Sequence, residues 1–187
     1  FVHAGYIVGF PHDTPDSVRH NVRRLRDEIG VDLASFFLLT PLAGSQDHTQ
    51  ALAAGVAMDA DLNRHDTFHA ITDPGAMTRE DAEAVYRESW REFYSFEHRH
   101  RRLATWSEEQ RATLLQNYLW YGCATGVDDF HPMMTGFVRC KPRGDRRPGF
   151  PVEGPVRHLV RRVPEVGRMV LGYGSEIAPA QRLWKRA

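Results

Sequence analysis

The sequence predicts an α/β start followed by a mainly α chain. Three features carry this reading: two short apolar, β-favouring runs that each break into a Gly/Pro loop, one amphipathic helix between them, and helical spacing that dominates from Thr78 onward. A strand, a crossover helix and a second strand form a βαβ unit, and ligands of such sheets bind outside the carboxyl ends of the strands. Both runs break at that end.

Residues 2–9 form the first run, closed by Gly9-Phe10-Pro11, and read as a buried parallel strand. The helix that follows has Thr14 as N-cap, Pro15 at its first position and Asp16 at the positive end of its dipole. Val18, Val22, Leu25 and Ile29 recur at helical spacing and place one stripe on the sheet, with Arg19, Arg23, Arg24 and Asp27 predicted to face water. Gly30 stops the helix. Residues 31–39 are the second strand, ended by Thr40-Pro41 because proline cannot donate to a ladder. Two strands and one helix cannot bury both faces of a sheet, so further strands are expected from sequence upstream or from a partner chain. The edge of the first strand is the exposed one.

After Ser45 no second βαβ cycle appears. Residues 46–54 suit a short helix ended by Gly55, and 59–74 read as polar, His-rich and irregular, with a short extended piece at 68–71. Thr78 and Asp81 resemble a capping box opening a long helix, whose Ala82, Val85, Tyr86, Trp90, Phe93 and Tyr94 cluster on one side. That spacing favours a core stripe over a stacking platform. Ser107 with Glu109 and Gln110 starts another helix, carrying Leu114, Leu115, Tyr118, Leu119 and Tyr121. A Pro-, Gly- and charge-rich stretch at 141–155 reads as a linker, 156–171 as a last helix broken or kinked at Pro164 and Gly167, and 172–187 as a flexible tail. The expected organisation is therefore 1–45 as the βαβ piece, 46–171 as a helical extension and 172–187 as the tail.

A hydrophobic share of 42%, with 24 basic and 24 acidic residues, is that of a globular protein with no bulk field toward nucleic acid or membrane. The basic excess of the second half, including Arg99, Arg101, Arg102, Arg157, Arg161, Arg162 and Arg168, fits solvated faces better than a phosphate patch. Cys123 and Cys140 are too few for a disulfide framework, which predicts a reducing, cytoplasmic compartment. No run reaches the length of a membrane span, and a start in strand-like sequence without Met predicts a piece of a longer protein.

Read alone, Gly5-x-Ile7-x-Gly9 fits close helix-on-sheet packing. It gains meaning from Gly9-Phe10-Pro11-His12-Asp13-Thr14, from Leu39-Thr40-Pro41-Leu42-Ala43-Gly44-Ser45, and from Tyr94-Ser95 at the end of the aromatic helix. In that order these motifs resemble the carboxyl-terminal part of radical S-adenosylmethionine enzymes. The nearest group has an amino-terminal cobalamin-binding domain and is related to the anaerobic magnesium-protoporphyrin monomethyl ester cyclase. The resemblance spans residues 3–103.

It implies a partial (β/α)6 barrel, of which residues 1–45 are the fifth strand, its helix and the sixth strand. In that family a [4Fe-4S] cluster on a CxxxCxxC motif cleaves S-adenosylmethionine reductively, and the 5'-deoxyadenosyl radical abstracts a hydrogen atom from the substrate. By the resemblance, Gly5, Ile7, Gly9 and Phe10, with Leu39 and Thr40 from the next strand end, wall the adenine side of the cofactor. Implied partners are the upstream barrel and cluster-binding segment and a small-molecule substrate, with cobalamin inherited from the group; membrane and nucleic acid are not expected. Two departures restrict the match. His12 occupies the family's Glu position, although Asp13 agrees with its Gly-Phe-Pro-x-(Asp/Glu)-Thr form. CxxxCxxC is absent, and Cys123 and Cys140 cannot replace three thiolates in one short loop, so this chain alone is expected to be inactive.

His65 and His69 have i, i+4 spacing near Asp61, but lack helical periodicity and an intervening Glu, which disfavours a metal site. His98 and His100 read as a solvated helix end, and Asp128-Asp129-Phe130-His131 as a polar loop. No nucleophile elbow, P-loop or paired-Cys zinc site occurs. The alternative to the radical enzyme is a non-catalytic helical interaction module whose βαβ piece pairs with a partner's sheet.

Overall fold

The computed structural model describes residues 1–128, 131–136, 140–145, 149 and 151–186. The chain forms two compact units, Phe1–His98 and Arg99–Ala187. The first begins with strand β1 (His3–Val8), helix α1 (Pro15–Arg23) and strand β2 (Leu33–Leu38), and the two strands pair in parallel from His3 opposite Leu33 to Val8 opposite Leu38. Helices α2 (Gln46–Ala53) and α3 (Arg79–Phe93) follow, and the division between the units falls within α4 (Phe96–Ala104). An α/β start followed by helices is therefore what this chain folds into.

The caps form where the residues predict them. Thr14 Oγ1 accepts from the Ser17 amide while Ser17 Oγ accepts from the Thr14 amide, and Thr78 and Asp81 close the equivalent box on α3. Val18 and Val22 are buried, but the turn Arg24–Ile29 is π-helical and closes on Gly30, whose φ is 68°. The wider turn rotates Ile29 out of the stripe and leaves it exposed. Arg23, Arg24 and Asp27 are exposed as expected, whereas Arg19 is half-buried. Arg19 pairs with Glu88 at 3.0 Å and Arg23 with Glu92 at 3.1 Å, so this side of α1 lies against α3.

Strand alternation sends Ala4, Tyr6 and Val8, with Ala34, Phe36 and Leu38, toward the helices. Phe36 meets Trp90 and Phe93 edge-on at 5.2 and 5.9 Å, which makes the aromatic side of α3 a core stripe. His3, Gly5 and Ile7 point to the other face and are exposed. The outer edge of β2 is closed by groups from outside the sheet. Tyr94 Oη accepts from the Ala34 amide at 3.0 Å and donates to the Ala34 carbonyl at 2.7 Å, and the Leu38 amide donates to the Thr67 carbonyl at 2.7 Å. Among the described residues the sheet has two strands, so β1 has a strand on one side only. The extended piece expected at 68–71 is a turn: Thr67 takes a φ of 68°, and Asp66 Oδ1 accepts from the Phe68 and His69 amides.

In the second unit, α5 (Glu108–Cys123) starts at the Ser107/Gln110 box and runs into a π-helical turn at Ala124–Asp128. Helix α6 spans Pro155–Arg186, with Pro164 and Pro179 inside it. The helix is unbroken at Pro164 and Gly167 and continues over residues 172–186. Each proline forfeits one backbone bond, but burial of Met169, Ala180 and Leu183 and the 2.7 Å bond from Tyr173 to Asp128 hold the helix on both sides of Gly172. Among the described residues, no helix is long and apolar enough to cross a membrane.

Candidate functional site at the strand ends

The carboxyl ends of β1 and β2 lie side by side, because the register that pairs Val8 with Leu38 puts Gly9 beside Leu39. The Leu39 amide donates to the Val8 carbonyl at 2.8 Å, which extends the ladder one step past the strands. Gly9 is buried with a φ of 108°, a conformation that disfavours a side chain. A Cβ there would sit 3.6 Å from the Leu39 Cβ and 3.7 Å from Pro74. Gly75 lies against Pro11, so the 74–75 turn closes one side of the strand end.

Asp13 organises the loop. Its Oδ2 accepts from the Gly9 amide at 2.9 Å and the Phe10 amide at 3.0 Å, while the Asp13 amide donates to the Phe10 carbonyl. The two amides that leave the ladder are thereby satisfied just before the N-cap of α1. Thr40 Oγ1 turns back to the Leu38 carbonyl at 3.1 Å. Ile7 (41% exposed), Phe10 (47%) and Leu39 (40%) present apolar surface around this point.

Gly9, Phe10, Leu39 and Thr40 thus come together at adjoining strand ends. Gly5 and Ile7 lie along the uncovered face beside Ser35 and Phe37, with Gly5 in contact range of the Phe37 ring. His12 is exposed, while Asp13 does the structural work in that loop. Sequence reading missed a polar pair on the same face, His3 Nε2 and Ser35 Oγ at 2.9 Å. Desolvation lowers the His3 pKa below its ordinary value. Their spacing of 32 residues becomes visible once the strands are known to be parallel and in register.

The other candidate groups separate. His65 is buried with Nε2 on the Asp59 carbonyl, His69 Nδ1 bonds Asp66, and Asp61 accepts from the Asn63 amide and side chain, which lowers its pKa. No cluster of three metal-ligating side chains occurs among the described residues. His98, expected at a solvated helix end, is buried, its ring centroid 4.7 Å from that of Phe93, because α4 begins immediately beside the core stripe. Asp128 accepts from Tyr173, from the Gly136 amide and from Thr135, and burial with the Asp128 bond pushes Tyr173 up to about 12. His131 is buried and caps a short turn, whereas Asp129 and Phe130 lie outside the described residues. Cys123 is buried in α5 and its thiol is pushed up to about 11 by burial, then by Glu176 and Asp128. That environment disfavours the thiolate an iron–sulfur cluster requires, so Cys123 does not fit such a group.

No family model, curated protein or solved structure matches this chain.

Proposed function

We propose that this chain is the carboxyl-terminal part of a radical S-adenosylmethionine enzyme, in which β1, α1 and β2 complete a partial (β/α)6 barrel and the helices after them cap the substrate opening. The observation that carries the reading is the asymmetry of the two-stranded sheet. One face is covered by α1 and α3 and the β2 edge is closed by Tyr94 and Thr67, while on the other face the β1 residues His3, Gly5 and Ile7 are exposed, the β2 residues Leu33 and Ser35 are buried, and β1 has a strand on one side only among the described residues. An unpaired β1 edge with exposed β1 side chains on the face away from the helices supports a reading in which further parallel strands continue the sheet beyond β1.

Within that reading, Ile7, Phe10 and Leu39 supply apolar surface for the flat adenine ring. Gly5 keeps the surface low enough for close approach, buried Gly9 turns the strand end against Leu39 and Pro74, and Thr40 borders it. Bound S-adenosylmethionine and the cluster supply the radical chemistry, and the cluster ligands belong to the upstream segment. This chain's share is to hold the ring and to shield the strand ends from water. The open β1 edge equally suits a non-catalytic module that adds its βαβ piece to a partner's sheet, so the test must separate the two.

The complete reading frame is expected to encode CxxxCxxC within about 200 residues upstream of Phe1, the length of the missing barrel portion. Expressed and reconstituted without oxygen, that protein is expected to show an iron–sulfur absorption band and to release 5'-deoxyadenosine. A reading frame lacking the motif, or a reconstituted protein that leaves S-adenosylmethionine intact, refutes the enzyme reading.

A further inference from the structure

Helix α6 has two apolar faces, and one of them lies against its own unit through Met169, Ala180 and Leu183. The other carries Val156, Val160, Val163, Val170, Ile177 and Trp184, each between 42 and 75% exposed. These positions, with Gly167, Gly174 and Gln181 between them, advance in strict alternation of four and three residues. A mean step of 3.5 is the period of a coiled-coil seam, and what fits such a seam is a second helix of the same period. We infer that α6 is a self-association surface, paired antiparallel with α6 of a second copy of this chain.

The glycines set the direction. In a parallel, in-register pair Gly167 would face Gly167 and Gly174 would face Gly174, leaving two unfilled layers. Run antiparallel, the same seam sets Gly174 opposite Val170, Gly167 opposite Ile177, and Val160 opposite Trp184, so that each gap meets a branched side chain. The contact is isologous and closes at two copies. With Leu159 and Leu171 beside it, the face gathers eight large apolar side chains that are each 42–78% exposed, an apolar surface that burial against a second copy would remove from water.

A second observation lies where the seam ends. Between α5 and α6 is a groove of about 440 Å³ lined by Leu115, Leu119, Ile177 and Trp184, open and mostly apolar. In the antiparallel register the start of the second copy's α6, with its Leu159, Val160 and Val163, reaches this groove. A lipid surface suits the face less well. The glycines remove apolar bulk where lipid contact would need it, and Arg161 and Arg162 are already paired with Glu153 and Glu165 at 2.8 Å.

Light scattering of the full 187-residue chain on a sizing column tests this, with a dimer of Kd below about 10 µM as the expected result. Val163→Asp, which buries an unpaired carboxylate, is expected to weaken it by about 100-fold or more with helical circular dichroism unchanged. Gly174→Leu fills the seam while raising helix propensity, so its loss of dimer cannot come from unfolding. In a Cys140→Ser background, a mixture of Val170→Cys and Gly174→Cys chains is expected to cross-link faster than either alone. Rapid cross-linking of Gly174→Cys alone would refute the antiparallel arrangement. A monomer, a dimer indifferent to both seam substitutions, or a monomer that sediments with phosphatidylserine vesicles would overturn the proposal.

Discussion

Replacing Tyr94 by Phe removes one oxygen and leaves the ring stacked on Trp90 at 5.7 Å. That oxygen makes two bonds to one residue, accepting from the Ala34 amide and donating to its carbonyl, and Ala34 is fully buried. Each bond is worth about 1 kcal/mol net, and a buried backbone group left without its partner costs about 1–3 kcal/mol more. Because the vacated space is one oxygen wide, the carbonyl and amide can relax only slightly, and the expected loss is about 2–4 kcal/mol. Urea unfolding followed by the fluorescence of Trp90, with Trp106, Trp120 and Trp184 replaced by Phe in parent and variant alike, measures it as a fall in midpoint at constant slope. Hydrogen exchange of the Ala34 amide gives a local readout and should accelerate by at least about 100-fold if the bond is lost. Tyr6→Phe is the control: its hydroxyl accepts from half-exposed Asn21, and about 0.5–1 kcal/mol is expected. A Tyr94→Phe protein within about 0.5 kcal/mol of the parent, with Ala34 still protected, would refute the view that this hydroxyl closes the sheet edge.

Four further outcomes are expected. Asp13→Ala deprives the Gly9 and Phe10 amides of their acceptor and should cost about 1–2 kcal/mol, with those two amides exchanging faster in hydrogen-exchange mass spectrometry. Gly172→Ala gains helix propensity of up to about 1 kcal/mol but overlaps both methyls of Val127, so a net loss of about 1–2 kcal/mol in thermal unfolding is expected; a stabilised protein would contradict the close approach. Hydrogen bonds from Arg161 and then His158 hold Glu153 down to about 2, against an ordinary 4.5. A carboxyl depressed in the folded state stabilises above its unfolded value and loses that contribution as pH falls through its folded one, so the tie is present at pH 5 and lost toward pH 2. A carboxyl carbon titration of Glu153 with a midpoint near 4.5 would contradict it. Iodoacetamide at pH 8 should label Cys140 and spare Cys123, whose thiol is pushed up to about 11, until the protein is unfolded.

Much of the first unit was legible because its signals are local. Thr14 and Pro15 open α1, Gly30 closes the π-helical turn that continues it, Thr78 and Asp81 open α3, and Thr40-Pro41 ends the second run, each through backbone groups a few positions away. Gly9 and Leu39 were predicted to adjoin because two parallel strands joined by a helix end on the same side. The partners that make the strand ends a built feature were not legible. Asp13 matched a motif, but its two amide bonds needed the φ of Gly9 to bring them within reach, and the His3–Ser35 pair required the register itself.

The sequence by itself determined where α1, α3 and α5 begin and where the second strand stops, because caps, proline and glycine act through backbone groups within a turn or two. Tertiary structure decided what faces what. Arg19, solvated by any helical wheel, is half-buried against Glu88 because α3 crosses beside α1; His98, polar and near a helix start, is buried because the core stripe ends there. Helix α6 continues past Pro164 and Gly167 because burial along one side outweighs two local penalties. Local penalties of a few kcal/mol are visible in a string of residues, whereas the contacts that offset them come from positions many residues away and exist only in the folded chain.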